Sequence, residues 1–255
     1  MKMVQVSAVI ITYNEEKNIA RCLASLKDVV DEIIVVDSFS TDKTTAICKS
    51  FNAKVFQNAF KGHIEQKNYA LSLASNQVVL SLDADEALDE TLKKSIQQSK
   101  TNFNFDAYSL NRLTNYCGHW VKYCGWYPDK KIRLFNSTKG KWVGTNPHDK
   151  FELDKPNTPI GKLAGNLLHY SYYTVAEHRE QTLKFSTIAA KALFQDGKKT
   201  NLALVYLKTI FKFISSYFIK LGFLDGKYGY TICRISAYYN YLKYSKLLRL
   251  WKEKQ

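Results

Sequence analysis

The chain has 255 residues, 45% apolar and 14% aromatic, enough for a sizeable core; only four prolines and eleven glycines, with no repeat period, exclude a solenoid or a linker-rich disordered protein. Lysines and arginines number 37 against 23 aspartates and glutamates, a formal charge of +14, and twelve of the basic residues lie between Lys198 and Gln255, opposed there only by Asp225 and Glu253. So basic a tail calls for an anionic partner: a lipid headgroup, an acidic saccharide or nucleic acid.

The five cysteines (Cys22, Cys48, Cys117, Cys124 and Cys233) are scattered and lack the close pairs of zinc sites, so free thiols in a reducing compartment are expected. Near Met1 the short apolar stretch Val9 to Thr12 runs straight into polar residues, and no secretory signal is expected. Val6 to Thr12 reads as a strand covered on both faces. Asn14 suits a helix N-cap, with Glu15 and Glu16 in the first turn of a helix reaching about Lys27. Glu32 to Asp37 reads as a second strand, followed by a helix from about Thr41 to Phe51. Lys54 to Gln57 makes a short third strand. A helix over His63 to Ala74 then leads to a fourth strand, Val78 to Leu82, which ends in the acidic run Asp83-Ala84-Asp85-Glu86. This alternation predicts an α/β fold, a mostly parallel sheet with helices on both faces.

From Asp106 to about Gly144 the pattern turns aromatic and alternating, as in Lys131 to Phe135, and predicts short antiparallel strands and loops. Past His169 the chain reads as helical. Tyr206, Ile210, Phe213 and Tyr217 fall on one helix face with Lys208 and Lys212 opposite, an amphipathic pattern. No stretch of this tail approaches the uninterrupted apolar length of a membrane span.

In parallel sheets ligands bind at the carboxyl ends of the strands, and here those ends carry Thr12-Tyr13-Asn14, Asp37-Ser38 and Asp83-Ala84-Asp85. Two aspartates one residue apart offer oxygen ligands to a hard divalent cation, magnesium or manganese, that also holds a diphosphate and offsets charge on the leaving group. The alternative is a solvated turn. Asp37 suits either a nucleobase or ribose, with Tyr13 stacked on the base, or the cap of a turn.

VIITYNEE (Val9 to Glu16), VVDSFSTD (Val35 to Asp42), EQKNYAL (Glu65 to Leu71) and LSLDADE (Leu80 to Glu86), in this order and spacing, resemble the donor-binding half of glycosyltransferase family 2. GWYPDKKIRLF (Gly125 to Phe135), NPHDK (Asn146 to Lys150), LHYSY (Leu168 to Tyr172) and FLDGKYG (Phe223 to Gly229) are similar to segments of the lipopolysaccharide core β-glucosyltransferase group. The resemblance implies a GT-A fold over residues 1–195, with a donor half at 5–100, an acceptor and catalytic half at 101–195, and a helical basic extension at 196–255. It also implies inversion at the anomeric carbon, a UDP-sugar donor and transfer of a hexose, glucose in the nearest group, to a lipid-linked envelope glycan.

Carried onto this chain, Thr12, Tyr13, Asn14, Glu15, Asp37, Ser38 and Lys67 would hold the nucleotide. Asp83 and Asp85 would form the metal motif for Mg2+ or Mn2+, Asp85 as the direct ligand and Asp83 nearer the ribose. Lys67 would set its ammonium beside the diphosphate, the alternative being a solvated helix lysine. Inverting transfer needs one base on the face opposite the leaving group, and Asp149 takes that place, with His148 as a second base or as the group orienting it. The related enzymes read His-Glu here, so the carboxylate of this chain is one methylene shorter. His169 either completes the metal shell or is a buried structural histidine. Arg133 either meets a phosphate or acceptor carboxylate or pairs with a nearby acid. Trp120, Trp126, Tyr127 and Trp142 form either a sugar platform or core packing.

Residues 198–255 are expected to lie on an anionic membrane surface, which places the protein in the cytoplasm, peripheral on the inner face of a bacterial cytoplasmic membrane. The rival arrangement packs these helices on the catalytic domain. A nucleic-acid module finds no zinc pattern, RNA-recognition signature or helix-turn-helix, so no nucleic acid is expected. A nucleotidyltransferase lacks its glycine-rich loop, since TYNEEKN contains no glycine. The sequence leaves the oligomeric state open.

Overall fold

The computed structural model describes residues 3–145 and 148–254, apart from the side chains of Thr145 and His148. The chain forms two compact units, Met1–Arg112 with Asp129–Tyr170, and Leu113–Pro128 with Ser171–Gln255.

The first unit begins with β1 (Val6–Thr12), α1 (Ile19–Ser25), β2 (Glu32–Asp37), α2 (Thr44–Ser50), β3 (Lys54–Gln57), α3 (His63–Ser72) and β4 (Val78–Asp83). There follow β5 (Glu86–Leu88), α4 (Glu90–Thr101), β6 (Ala107–Tyr116), β8 (Asp129–Asn136), β9 (Gly140–Thr145), β10 (His148–Leu153) and β11 (Gly161–Tyr172), while the short β7 (His119–Trp120) and the last residues of β6 and β11 belong to the second unit. The sheet order is β3-β2-β1-β4-β8-β6-β11-β5, with β7 beside β6 and with β9 and β10 forming a separate ribbon. β1 pairs in parallel with β2 and β4, β2 with β3, and β8 is the first antiparallel neighbour.

Apolar residues alternate between two cores, as strands buried on both faces require. Val6, Ala8 and Ile10 join Val35, Leu80 and Leu82 on one side, while Val9 joins Ile34, Val36 and Val79 on the other. The chain leaves β1 toward β3 and returns to β4 on the opposite flank of β1, so the switch point lies at the carboxyl ends of β1 and β4.

The structure corrects the first helix. Asn14 is not a cap: it sits in the left-handed region at φ 52°, and α1 opens five residues later at Ile19. Asn14 Oδ1 instead accepts from Thr41 N (2.8 Å), and Asn14 N donates to Ser40 Oγ (2.8 Å). Glu15 N donates to Thr44 Oγ1, Glu16 N to Asp42, and Lys43 N to Glu16, so the loops after β1 and β2 are knitted together. α4 was not anticipated; Asp89 caps it at Leu92 N (2.7 Å), and Leu92 and Ile96 face the core.

In the second unit, α5 (Val175–Gln195) opens with a capping box between Thr174 and Glu177, then come α6 (Leu202–Ile214), a π-turn at Ser215–Ile219 and α7 (Gly226–Glu253). Tyr116, Val121, Cys124, Ile232 and Cys233 form its buried cluster. All five cysteines are free thiols, as expected. Asp225 fastens the segment before Cys124, accepting from Lys122 N (3.3 Å) and Tyr123 N (2.9 Å) and lying 3.0 Å from His119 Nε2. His178 is buried with Nδ1 3.1 Å from the Tyr116 hydroxyl, and burial brings its imidazole down to about 4.

Two expectations about the tail are revised. Phe213 and Tyr217 do pack partly into this unit, but Tyr206 and Ile210 of the same expected face are exposed. Leu202–Ile219, though interrupted by Lys208 and Lys212, is also long and apolar enough, 18 residues at mean hydropathy 1.5, to cross a membrane by length and composition, and only 11% of it is buried.

Candidate active site

Thr12 ends β1 with its backbone carbonyl accepting from Ser38 N (2.9 Å) and its buried hydroxyl without a partner among the described residues. The Tyr13 ring beside it is 59% exposed. Asp37, the last residue of β2, is fully buried, and its carboxylate accepts from the backbone and hydroxyl of Ser40, the turn-capping arrangement. Ser38 Oγ accepts from Gln66 Nε2 (3.0 Å) on α3. Burial raises the Glu15 carboxyl above its ordinary value, opposed by a hydrogen bond from Asn18 and reinforced by Asp85, Asp42 and Asp83.

Lys67 is not a solvated lysine. It is 2% exposed on the inner face of α3, and its Nζ lies 3.0 Å from Asp83 Oδ1 and 2.8 Å from Asp149 Oδ2. One ammonium thus joins the end of β4 to β10, residues far apart in sequence. The Trp142 ring lies beneath it, with its centroid 4.6 Å from Nζ. Arg133, also buried, pairs through Nη2 with Asp83 (2.9 Å) and Glu86 (2.8 Å), the acid-pairing alternative for this residue. Burial alone would raise the Asp83 carboxyl; Lys67 and Arg133 outweigh it and hold the group well below the usual carboxylate range.

Asp85 is placed differently. Its Oδ2 lies 3.2 Å from His169 Nε2, and its backbone carbonyl accepts from Tyr170 N (2.9 Å), because β11 runs antiparallel beside β5 with His169 opposite Glu86. Among the described residues no three His, Cys, Asp or Glu side chains gather to hold a metal unaided. The Asp85–His169 pair supplies one oxygen and one imidazole nitrogen, donors that suit a divalent ion whose other positions are filled by phosphate oxygens. Asp83, with its oxygens facing two cations, is less open to a metal than Asp85. His148 belongs to β10 by its backbone, and its side chain lies outside the described residues.

A cavity of about 450 Å³ opens here, lined by Lys67, Asp83, Arg133, Trp142 and Asp149 and by the cations Arg112, Lys130, Lys131 and Lys150. The sequence reading gave no role to Arg112 of this wall or to Glu86, the partner of Arg133. Glu86 is fully buried and accepts from Arg133 Nη2 and from Asp83 N (3.0 Å). Arg112 holds Asp129 (2.7 Å) and reaches toward Glu86 (3.7 Å). Trp142 packs against Phe135 and Phe151, so core packing applies to it, as it does to Trp126 against Tyr116 in the second unit. Glu86 stands in the acidic run itself, which was signal enough to name it; Arg112 carries no local signature.

The family model described as glycosyl transferase family 2 matches residues 7–148. An uncharacterized glycosyltransferase of Rickettsia typhi is 34% identical over 97% of this chain and 88% of its own length. The lipopolysaccharide core biosynthesis glycosyltransferase LpsC of Rhizobium meliloti is 27% identical over 94% of this chain and 91% of its own. Among solved structures, glucosyl-3-phosphoglycerate synthase from Mycobacterium tuberculosis, in complex with Mn2+, uridine diphosphate and glucosyl-3-phosphoglycerate, overlaps 44% of each chain at 23% identity and a TM-score of 0.37, an overlap that carries no argument about function.

Proposed function

The chain belongs to glycosyl transferase family 2, and on that premise we propose that it is an inverting, metal-dependent hexosyltransferase. It moves glucose from a UDP-sugar to an acceptor hydroxyl in lipopolysaccharide core or a related envelope glycan. The observation that carries this reading is the Lys67 ammonium bridging Asp83 and Asp149, beside the Asp85–His169 pair and at the carboxyl ends of the parallel strands. It sets a phosphate-seeking cation and two carboxylates around one cavity, and the oxygen and nitrogen donor pair starts two residues beyond Asp83.

In this reading residues 5–100 take the donor and 101–195 the acceptor. Tyr13 stacks on the base, while Thr12, Asn14, Glu15, Asp37 and Ser38 border the nucleoside; Asp37 does so through the turn it caps. Asp85 and His169 hold Mn2+ or Mg2+, which when bound supplies Lewis-acid stabilisation of the departing diphosphate. Lys67 turns its ammonium to the diphosphate, and Asp149 accepts the proton of the incoming hydroxyl as that oxygen attacks the anomeric carbon from the opposite face. His148 is the second base or the group that would orient Asp149. Arg133 keeps Asp83 ionised and in place. The basic wall of Arg112, Lys130, Lys131 and Lys150 suits an acceptor bearing phosphate or carboxylate. Residues 198–255 meet an anionic membrane surface, which brings a cytoplasmic enzyme to a lipid-linked acceptor.

The test is hydrolysis of UDP-, GDP- and dTDP-hexoses by purified protein with Mn2+, Mg2+ or EDTA, beside Asp85→Ala, with nucleotide binding followed by calorimetry. Turnover of one UDP-hexose, abolished by EDTA and by the substitution, supports the proposal. A protein that neither binds nor hydrolyses any of these donors refutes the donor-site assignment.

A further inference from the structure

The outside of α6 and its π-turn is apolar where a water-facing helix would be polar. At 100° per residue, Leu204, Leu207, Phe211, Ile214 and Phe218 fall within an arc of about 80°. All five are exposed, Leu207 and Phe211 at 62% and 66%. The opposite side packs within the second unit through Val205 and Ser216, both buried, and through Asn240 of α7, whose side-chain amide donates to Lys208 O (3.4 Å). Lys208 Nζ lies 4.2 Å from the Tyr244 ring of α7, and burial lowers the Lys212 ammonium below its ordinary value, so neither lysine breaks the apolar arc. Leu221 and Leu224, just beyond, are exposed too. A contiguous apolar surface of this extent marks contact with something other than water.

Charge at both ends of the helix says what that is. Lys198 and Lys199 precede it and Lys220 follows it. A helix of 18 residues, about 27 Å long, with cations at its ends and apolar side chains on one long face, matches acyl chains bordered by anionic headgroups. Its length would also permit a span, but α7 packs along its other side and carries Lys227, Arg234, Lys243, Lys246, Arg249 and Lys252. Crossing the bilayer would draw these charges into hydrocarbon.

We propose that α6 and its π-turn lie in the plane of an anionic bilayer with Leu204, Leu207, Phe211, Ile214 and Phe218 embedded among the acyl chains and the terminal lysines at the headgroups. This rests on the proposal that residues 198–255 meet a membrane, and deepens it: the main attachment is hydrophobic insertion of one defined face, while the lysines select anionic lipid.

The test is cosedimentation of the full chain with phosphatidylethanolamine vesicles containing phosphatidylglycerol, at 0.1 and 0.5 M NaCl. The expected result is binding that falls no more than about threefold at the higher salt, since insertion is not screened. The variant L207E/F211E/I214E should lose at least about tenfold at both salts while keeping its circular dichroism spectrum. F211W, a milder change, should show tryptophan emission quenched by lipids brominated on the acyl chain, beyond the quenching of the unsubstituted protein. Release of the protein at 0.5 M NaCl, undiminished binding of the triple variant, or no added quenching in F211W would overturn the proposal. So would a dimer by light scattering that the triple variant abolishes without any vesicle binding, for then a second copy covers the face. Donor hydrolysis measured on the same samples separates failure of insertion from failure of the transferase reading.

Discussion

Replacing Glu86 by glutamine tests the architecture of the site with the smallest change of shape. Glu86 is fully buried and presents two acceptor oxygens to two donors, Arg133 Nη2 at 2.8 Å and Asp83 N at 3.0 Å. Glutamine has one acceptor, so its amide NH2 must face one of those donors. Loss of a buried charge partner costs about 3–5 kcal/mol, and a buried donor left unpaired about 1–3 kcal/mol. Arg133 keeps Asp83 at 2.9 Å, which limits the first figure, and the two overlap because they concern the same contacts. The expected loss is about 3 kcal/mol. Urea unfolding followed by tryptophan fluorescence measures it, at unchanged m-value. In the double variant E86Q/R133M the effects should be non-additive by more than about 1 kcal/mol, since the glutamine no longer faces a guanidinium. A loss below about 1 kcal/mol in E86Q, with additive behaviour in the double variant, would refute the claim that Glu86 supports the Asp83–Arg133 pair.

Asp149→Asn should lower turnover by about 10²–10⁴-fold, the range for a general base, and leave the donor dissociation constant within about threefold; parallel kinetics and calorimetry distinguish this from a binding defect. His178 gives a pH dependence: its folded value of about 4 lies below the ordinary 6.5, so its contribution is complete above 6.5 and is lost as pH falls toward 4. The gap corresponds to about 3 kcal/mol, and a pH series of urea midpoints for wild type and His178→Gln should show the slope between pH 6.5 and 4 flattened in the variant. Gly165→Ala should destabilise the first unit by more than about 2 kcal/mol in thermal unfolding, because φ is +93° and a Cβ would stand 2.2 Å from Leu92 N.

The parallel half of the sheet was legible because β1, β2 and β4 are short, unbroken apolar runs rich in β-branched residues, and a strand buried on both faces leaves that pattern. Asp37 and Asp83 were legible for the same reason: they close those runs. The wall of the cavity was not. Arg112, Trp142 and the partner choice of Arg133 depend on antiparallel neighbours from β6 to β10, and no local spacing records which strand lies beside which. Asn14 departs from the expected cap because, although its neighbours allow a helix start, its conformation is decided by hydrogen bonds to Ser40 and Thr41, 26 and 27 residues away. α4 is a different case, since the Asp89 cap followed by Leu92 and Ile96 is a local signal of its own. In α6 periodicity identified an amphipathic helix but could not decide which side a neighbouring helix would cover.

The knitting of the loops after β1 and β2 bears on how a ligand is received there. Five hydrogen bonds between a backbone N–H and a side-chain oxygen join residues 14–16 to residues 40–44, and the Thr41 hydroxyl also donates to Asn14 Oδ1 (3.4 Å), so the two loops form one cross-braced plate. Loops that are separately mobile lose conformational entropy when a ligand arrives, which subtracts from affinity. Here that loss is incurred once, during folding, and a nucleotide meeting the plate would retain more of its contact energy as binding.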